Sequence, residues 1–215
     1  MGQTLTSTTI DKNLPIYQIV ISGNEISEFY AKKSVYSFAK LGYNNIIRVE
    51  ATTPNDQFYL KFADKRYYTA DNYREWRQEE LAIWHSHYDC WKRIKEPSIV
   101  IEHDCILYRE LPEHFMKRNL WSFGVHRRPS PSGFRYVNLA GLCYYIKRSG
   151  AHELIKRMPK LIHKPVDAYI HRRQKWYPHG ILPPEYIEES VCATHYINKK
   201  VGTTKPTIRK KALGK

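Results

Sequence analysis

The sequence predicts an α/β domain with a central, mostly parallel sheet. Residues 14–21 have the apolar, β-branched character of a strand, residues 26–41 that of a helix, and residues 45–51 that of a second strand. A strand, a helix and a strand in such a short stretch form a βαβ unit, whose two strands lie parallel in one sheet. The length of 215 residues suits one domain with a full hydrophobic core.

The helix at residues 26–41 should lay one face against this sheet. Its large apolar side chains predict the inward positions: Phe29, Val35, Phe38 and Leu41. Gly42 should end the helix, because glycine readily takes the left-handed conformation that often follows the last turn.

A second helix and a buried strand follow in the middle of the chain. Four apolar residues recur at three- and four-residue spacing and mark one helical face: Ile83, Trp84, Trp91 and Ile94. Pro97 should end this helix, because proline disfavours the helical conformation of the residue before it. The run at 98–101 then predicts a strand that is covered on both faces.

An acidic triplet, Glu102-His103-Asp104, follows that strand. Two carboxylates one residue apart at the end of a buried strand lose hydration and repel each other. A divalent cation relieves both costs, and Mg²⁺ and Mn²⁺ prefer carboxylate oxygens. The triplet therefore predicts a metal site, with an ordinary acidic surface turn as the alternative.

The remaining stretches predict further elements around this centre. Residues 54–79 are polar and aromatic, which fits either a flap over a ligand pocket or an extra helical piece. Beyond the triplet we expect a helix at 111–119, a strand at 121–125, a basic loop broken by prolines at 126–133, a strand at 136–146 and a helix at 149–158.

The middle of the chain resembles glycosyltransferase family 25, the lipooligosaccharide and collagen-type sugar transferases. That family carries a segment like E-x-G-C-A-L-S-H, then a helix, then L-I-L-E-D-D. This chain has Glu80-Leu81-Ala82-Ile83-Trp84-His85-Ser86-His87, a helix, and Ile99-Val100-Ile101-Glu102-His103-Asp104. The outer carboxylates match, whereas His103 stands where the family usually has aspartate. The resemblance implies a single GT-A-like, Rossmann-type domain, which we place at residues 14–198.

Later segments are similar to the same family in the same order. Five residues fall on a segment that precedes a helix in the family: Gly141, Tyr145, Ile146, Gly150 and Ala151. Lys147 stands where serine is usual. Pro165-Val166-Asp167 and Pro183-Pro184 then match a proline–apolar–aspartate segment and a double proline. The resemblance covers about residues 14–192, and the chain would be a DNA-modifying phage member of this family.

The resemblance implies metal-dependent transfer of a sugar from a nucleotide sugar to a hydroxyl group, with inversion. A divalent metal ion, Mn²⁺ or Mg²⁺, would neutralise the leaving diphosphate as a Lewis acid. We expect the metal ligands Glu102, Asp104 and His195, with a ribose contact as the alternative for Glu102. The expected catalytic residues are Asp104 and Asp167. Asp167 would be the general base, with capping of the helix that follows it as the alternative.

The donor should lie over the first half of the domain. Ligands of open α/β sheets bind beyond the carboxyl ends of the strands. These ends predict donor contacts from Ser22, Gly23, Asn24, Glu50 and Thr52, with plain connecting loops as the alternative. The family resemblance adds Ser86, His87, Glu102 and Gly141, and it implies a UDP-sugar as the donor.

The charge of the second half bears on the acceptor. The formal net charge is +14, and residues 103–175 hold fifteen basic and five acidic residues. Such a surplus attracts phosphate backbones or an anionic membrane surface. We expect duplex DNA with hydroxymethylated bases as the acceptor, bound by Arg127, Arg128, Arg135, Arg172, Arg173 and Lys175. A lipid-linked glycan is the alternative acceptor, and a non-catalytic nucleic-acid-binding protein on a degenerate transferase fold is a third hypothesis.

The ends of the chain, its apolar content and its cysteines bear on the cellular location of the protein. Residues 1–13 should be flexible, and residues 199–215, with seven basic residues and no acid, should form a basic tail. The sequence contains no run of 18 apolar residues, so we expect no transmembrane helix. Its first residues lack the cationic start and apolar core of a secretory signal, so we expect none. Four cysteines without paired spacing indicate reduced core thiols. Together these features predict a cytoplasmic protein, in the bacterial host cytoplasm if it is phage-encoded.

Overall fold

The computed structural model describes residues 11–62, 66–68, 73–111, 116–123, 125–130, 133–138, 141–173 and 192–194. Its helices are α1 Glu25–Lys40, α2 Gln78–Arg93, α3 Arg148–Lys156 and α4 Val166–Arg173. Its strands are β1 Ile16–Val20, β2 Ile46–Glu50, β3 Lys61–Phe62, β4 Arg66–Tyr68, β5 Tyr73–Glu75, β6 Ser98–Glu102, β7 Cys105–Leu107, β8 Leu120–Ser122, β9 Val125–Ser130, β10 Gly133–Asn138, β11 Cys143–Ile146, β12 Leu161–Ile162 and β13 Cys192–Thr194.

Five strands form the central sheet, in the order β2-β1-β6-β11-β8. β1 lies parallel to both β2 and β6, whereas β11 runs antiparallel to β6 and to β8. Four of the five strands therefore point the same way, which confirms an α/β fold with a mixed, mostly parallel sheet. The run from Ile99 to Ile101 in β6 is fully buried, as expected of a strand covered on both faces.

α1 approaches the sheet through small residues rather than through the predicted large ones. The stripe consists of Ser27, Ala31 and Ser34. Phe38 is buried as predicted, but the inward prediction is wrong for Phe29 and Val35, which expose 52% and 37% of their surface. Small side chains let the helix backbone come close, so that the Gln18 amide donates to the Ala31 carbonyl oxygen at 3.0 Å.

The ends of the two long helices follow their sequence signals. Gly42 takes a left-handed φ of 89° just beyond α1, which confirms the predicted stop. At the start of α2, the Glu80 carboxylate accepts the backbone N–H of Arg77 at 3.0 Å, an interaction typical of a helix N-terminus. α2 ends before Pro97, also as predicted.

The basic segment beyond β8 differs from its prediction. The expected loop at 126–133 and the first part of the expected strand at 136–146 instead form β9 and β10, an antiparallel hairpin. Pro129 is accommodated because both strands of a two-stranded hairpin are edge strands, which tolerate the missing N–H of proline. A turn at Gly141-Leu142 then separates β11 from the hairpin.

Smaller elements complete the described part of the chain. β3 pairs with β12 and β4 pairs with β5. The helical option for residues 54–79 is therefore wrong for the described residues before Gln78, where α2 begins. Residues 116–119 form a short turn, and 112–115 of the predicted helix at 111–119 lie outside the described residues. Cys90, Cys105 and Cys143 are buried. Within these ranges, no helix is both long and apolar enough to cross a bilayer.

Candidate functional site

The carboxyl ends of three parallel strands meet at one edge of the sheet. Glu50 is the last residue of β2 and pairs in register with Val20, while Glu102 is the last residue of β6 and lies opposite Ile19. The loop that begins at Ser22 leaves β1 at the same edge. Ligands of open α/β sheets bind at such an edge, so the topology gathers the predicted donor and metal residues in one region.

Three polar side chains converge on Gly141 at this edge. A Cβ atom on Gly141 would lie 2.8 Å from Asp167 Oδ1, 3.2 Å from His87 Nε2 and 3.4 Å from Glu102 Oε1. The Gly141 backbone N–H also donates to Asp167 Oδ1 at 2.6 Å. A side chain at this position would fill the space in which these groups meet, so the site requires glycine.

Asp167 and Glu102 form an interacting pair of carboxyl groups. Burial raises the pKa of Asp167 to about 7, and the neighbouring charge of Glu102 adds to the shift. Burial also raises the pKa of Glu102 to about 7, with a further contribution from Asp104, although 31% of the Glu102 side chain remains exposed. Since two close carboxylates repel each other, we expect the pair to hold one proton near neutral pH. Such a pair can accept and return a proton.

Asp167 occupies the first turn of α4 rather than the position before it. α4 begins at Val166, so the capping role predicted as the alternative for Asp167 is wrong. Its Oδ1 is instead turned to the backbone of Gly141, which lies in the turn before β11. The carboxyl group therefore links α4 to the sheet edge where Glu102 ends β6.

His87 lies behind the carboxyl pair with only 1% of its side chain exposed. Burial lowers its pKa to about 4, although the charge of Asp167 opposes the shift, so the imidazole is neutral at physiological pH. Its Nε2 is 3.3 Å from Glu102 Oε1 and its Nδ1 is 3.0 Å from the Tyr144 hydroxyl. This burial leaves His87 almost no surface for the predicted direct contact with a donor.

Two residues that the sequence motifs do not identify stand next to His87. Trp91 Nε1 donates to the Tyr144 hydroxyl at 2.8 Å. Burial raises the pKa of Tyr144 well above its ordinary value, so its O–H stays protonated. Buried tryptophan and tyrosine side chains need hydrogen-bond partners for their N–H and O–H groups. A Trp or Tyr at a position that the sequence predicts to be buried therefore indicates a polar contact, and this signal could have identified Trp91 and Tyr144.

The loop after β1 is held by charged side chains. The Ser22 backbone N–H donates to Glu50 Oε1 at 2.9 Å, and the Ser22 hydroxyl bonds to Glu50 Oε2. Arg48 donates to Ser22 Oγ at 2.7 Å and forms an ion pair with Glu28. Ser22 and Glu50, both predicted to contact the donor, are thus in direct contact with each other on an exposed surface.

Other predicted donor residues have roles within the protein. Asn24 Oδ1 accepts the Ser27 N–H at 2.9 Å and so caps α1. The Ser86 hydroxyl accepts the Thr52 N–H at 2.9 Å and donates to a carbonyl oxygen one turn earlier in α2. This pair of bonds ties the loop after β2 to α2. Gly23, with φ 71°, has open space where a side chain would project.

The expected metal ligands are only partly brought together. Glu102 ends β6, and Asp104 lies in the turn between β6 and β7, close enough to raise the pKa of Glu102. His103, between them, is 7% exposed, and its Nε2 has no hydrogen-bond partner among the described residues. His195 lies outside those residues. Within the described ranges, no group of three or more His, Cys, Asp or Glu side chains has the geometry to hold a metal.

The basic residues of the predicted acceptor side lie on the hairpin and on α4. In the β9–β10 hairpin, Arg128 is directly opposite Arg135, and Arg127 is opposite Tyr136. The hairpin contacts α4 through β10. Strand β10, which carries Arg135, therefore lies next to the helix that carries Asp167.

α4 itself ends in two of the predicted basic residues, Arg172 and Arg173. The Arg173 guanidinium lies 5.2 Å from the centroid of the Tyr169 ring, a stacking contact that holds the cation near the protein surface. Lys175 lies outside the described residues. Arg172 and Arg173 thus lie on the same short helix as Asp167, one member of the carboxyl pair.

The chain matches no protein-family model, and no curated protein matches it. What the site can do therefore has to be judged from its own chemistry. It combines a carboxyl pair with pKa values near neutrality, a neutral histidine and an open loop at the carboxyl edge of a mostly parallel sheet.

Proposed function

We propose that this protein is a metal-dependent glycosyltransferase that moves a sugar from a nucleotide-sugar donor to a hydroxyl group. The observation that carries the proposal is the convergence of Glu102, His87 and Asp167 on Gly141 at the carboxyl edge of the sheet. That edge is where open α/β sheets bind nucleotide ligands. A proton-accepting carboxyl group next to a nucleotide site suits group transfer to a hydroxyl.

The donor, for which a UDP-sugar is the expected choice, would lie over the ends of β1 and β2. Gly23 gives the loop after β1 open space for a ligand. Ser22 follows the end of β1, and Glu50 and Thr52 lie at the end of β2 and in the loop after it. Serine and glutamate side chains there offer hydrogen bonds to ribose hydroxyls, whereas an exposed backbone in the loop can approach the base.

Glu102 and Asp104 would hold the divalent ion, Mn²⁺ or Mg²⁺. Such ions are commonly bound through one or two carboxylates together with substrate phosphates, rather than by a complete cage of protein ligands. Two carboxylates, one at the end of β6 and one in the turn that follows it, fit that requirement. When bound, the ion would offset the charge that develops on the leaving diphosphate.

Asp167 would act as the general base. The acceptor hydroxyl oxygen bonds to the anomeric carbon as the bond from that carbon to the diphosphate oxygen breaks, and the hydroxyl proton passes to Asp167. A pKa of about 7 places this carboxyl group near the pH at which it works. The Gly141 N–H holds Asp167 Oδ1 in place, and inversion at the anomeric carbon follows from the family resemblance.

The proposed acceptor is duplex DNA that carries hydroxymethylated bases. Arg127, Arg128 and Arg135 stand on a hairpin that contacts α4, and α4 carries both Asp167 and the basic residues at its end. Cations arranged around a base catalyst would draw a polyanionic acceptor toward it. The enzyme would reach the base by turning it out of the duplex.

The test is sugar transfer to DNA. The protein is incubated with Mn²⁺, a panel of nucleotide sugars, and matched duplexes that contain either cytosine or 5-hydroxymethylcytosine; nucleosides are then analysed by mass spectrometry. A sugar mass increment only on the hydroxymethylated duplex is the expected result. Donor hydrolysis without DNA modification would move the acceptor to a glycan or lipid. DNA binding with no donor turnover would replace the enzyme by a non-catalytic binder.

A further inference from the structure

A line of buried hydrogen bonds runs from α2 through the sheet to the carboxyl pair. Trp91 Nε1 is 2.8 Å from the Tyr144 hydroxyl, that hydroxyl is 3.0 Å from His87 Nδ1, and His87 Nε2 is 3.3 Å from Glu102 Oε1. Trp91, Tyr144 and His87 are almost completely buried. Water is therefore excluded from most of this line, and each polar group depends on its protein partners.

The chemistry of the groups gives the line a direction. An indole N–H only donates, so the Tyr144 oxygen accepts from Trp91 and keeps one O–H to donate. Among the described residues, the other partner of that hydroxyl is His87 Nδ1. Nδ1 must then accept, and a neutral imidazole with Nδ1 as acceptor carries its single proton on Nε2. That proton faces Glu102 Oε1.

The opposite arrangement leaves a donor without an acceptor. If the proton were on Nδ1, Tyr144 would face two N–H donors, and its own O–H would have no acceptor among its described partners. An unsatisfied hydroxyl in a dry site is costly. Nε2 would also lack a proton to give to Glu102, so the carboxyl group would have to donate instead.

We propose that Tyr144, anchored by Trp91, is a positioning residue that fixes His87 in the Nε2–H tautomer and thereby holds Glu102 Oε1 toward Gly141. A catalytic effect of Tyr144 rests on the proposed function, because Tyr144 would act through Glu102, a proposed metal ligand. Tyr144 touches neither Asp167 nor the donor loop in this line of bonds. Its loss should therefore lower kcat/KM for the donor, because Glu102 also belongs to the proposed metal site.

The neighbouring tyrosine provides a matched control. Tyr145 lies next to Tyr144 in β11 and is equally buried, but its hydroxyl has no hydrogen-bond partner among the described residues. Alternation along a strand sends the two side chains to opposite faces of the sheet. Tyr144→Phe and Tyr145→Phe therefore make the same chemical change, one inside the line of hydrogen bonds and one outside it.

The experiment measures the tautomer of His87 and the kinetics of the same variants. The protein is labelled with ¹⁵N-histidine, the His87 signal is identified by its loss in His87→Gln, and long-range ¹H–¹⁵N spectra report which ring nitrogen carries the proton. Wild type and Tyr145→Phe should show Nε2–H. Tyr144→Phe should lose this single tautomer and lower kcat/KM for the donor about tenfold or more.

Two results would overturn the proposal: an Nδ1–H tautomer in the wild-type protein, or an unchanged Nε2–H tautomer in folded Tyr144→Phe. The wild-type spectrum decides the matter even if Tyr144→Phe fails to fold, which circular dichroism would reveal. A wild-type protein that turns over no nucleotide sugar would refute the proposed function alone. The tautomer would still show whether Tyr144 positions His87.

Discussion

The backbone N–H of Gly141 donates a hydrogen bond to Asp167 Oδ1 at 2.6 Å, which joins the turn before β11 to the first turn of α4. The same glycine leaves just enough room for His87 Nε2 and Glu102 Oε1 to approach. Absence of a side chain at one position is thus what allows three polar groups to share one site.

Replacing Gly141 should damage the site more than the fold. In Gly141→Ala the new methyl group would lie 2.8 Å from Asp167 Oδ1, the end of a side chain that can rotate away. We expect turnover to fall by about a hundredfold, because displacing a catalytic group by about 1 Å has an effect of that order. Thermal unfolding should change little, and transfer kinetics with melting curves measure both.

Gly150→Ala is the contrasting variant. Its Cβ would meet the Asn119 carbonyl oxygen at 2.1 Å, and a backbone atom cannot rotate out of the way. We expect a loss of about 3 kcal/mol or more in unfolding free energy. If Gly141→Ala unfolded as readily as Gly150→Ala, or kept full turnover, the account of Gly141 would fail.

Stability should depend on pH through Asp167. Its pKa rises from 3.8 to about 7 on folding, so the folded protein holds a proton in this range that the unfolded chain releases. The stabilisation from that proton is complete below the unfolded pKa and is lost as the pH rises through about 7. Asp167→Asn has no such proton and keeps an oxygen for the Gly141 N–H.

We therefore expect Asp167→Asn to be more stable than wild type by roughly 2 kcal/mol at a pH of about 8, with the difference shrinking toward a pH of about 4. Urea unfolding in EDTA across this range measures it, because EDTA removes any bound metal ion. The attribution to Asp167 would be refuted by a difference that stays constant with pH.

The hairpin arginines should contribute to DNA affinity without base specificity. Arg128 and Arg135 are cross-strand neighbours in β9 and β10. If each contacts a phosphate, the double alanine variant should reduce the salt dependence of binding by about two charges, with a similar loss for every sequence. Fluorescence anisotropy at several salt concentrations measures the slope.

Arg157→Ala is the control for the hairpin variant. Arg157 is an exposed arginine that lies outside the hairpin and pairs with Glu153 on α3. It should leave the salt slope unchanged. Equal losses in Arg157→Ala and in the hairpin variant would mean that total charge, rather than the hairpin, attracts DNA.

The order β1, α1, β2, α2, β6 could be predicted from the sequence, because hydrophobic periodicity and the βαβ spacing are local signals. The burial of α1 could not be predicted in the same way. Large side chains such as Phe29 and Val35 suggest an inward face, yet the helix packs through small residues that permit close approach. Likewise, Pro129 suggests a loop, although a two-stranded hairpin accommodates it.

Part of the candidate site could also be predicted from the sequence. Glu102 ends a buried strand, and parallel strands bring their carboxyl ends to one edge, so its neighbourhood with Glu50 follows from topology. The contact between Tyr144 and His87 joins residues 57 positions apart. No local pattern encodes such a contact, since it depends on how α2 packs on the antiparallel strand β11.

The central claim is that Glu102 and Asp167 form a reaction centre for nucleotide sugars. Its most direct test is the rate of nucleoside diphosphate release from a panel of nucleotide sugars with Mn²⁺, for wild type, Glu102→Gln, Asp167→Asn and Glu110→Gln. Glu110 is an exposed carboxylate that pairs with Lys12 away from the site, so its variant controls for loss of charge.

The account predicts that wild type and Glu110→Gln release nucleoside diphosphate at the same rate. Glu102→Gln and Asp167→Asn should be slower by about a hundredfold or more, as expected when a metal ligand or a general base is removed. Equal rates in all four proteins, or no release by the wild type from any donor in the panel, would contradict it.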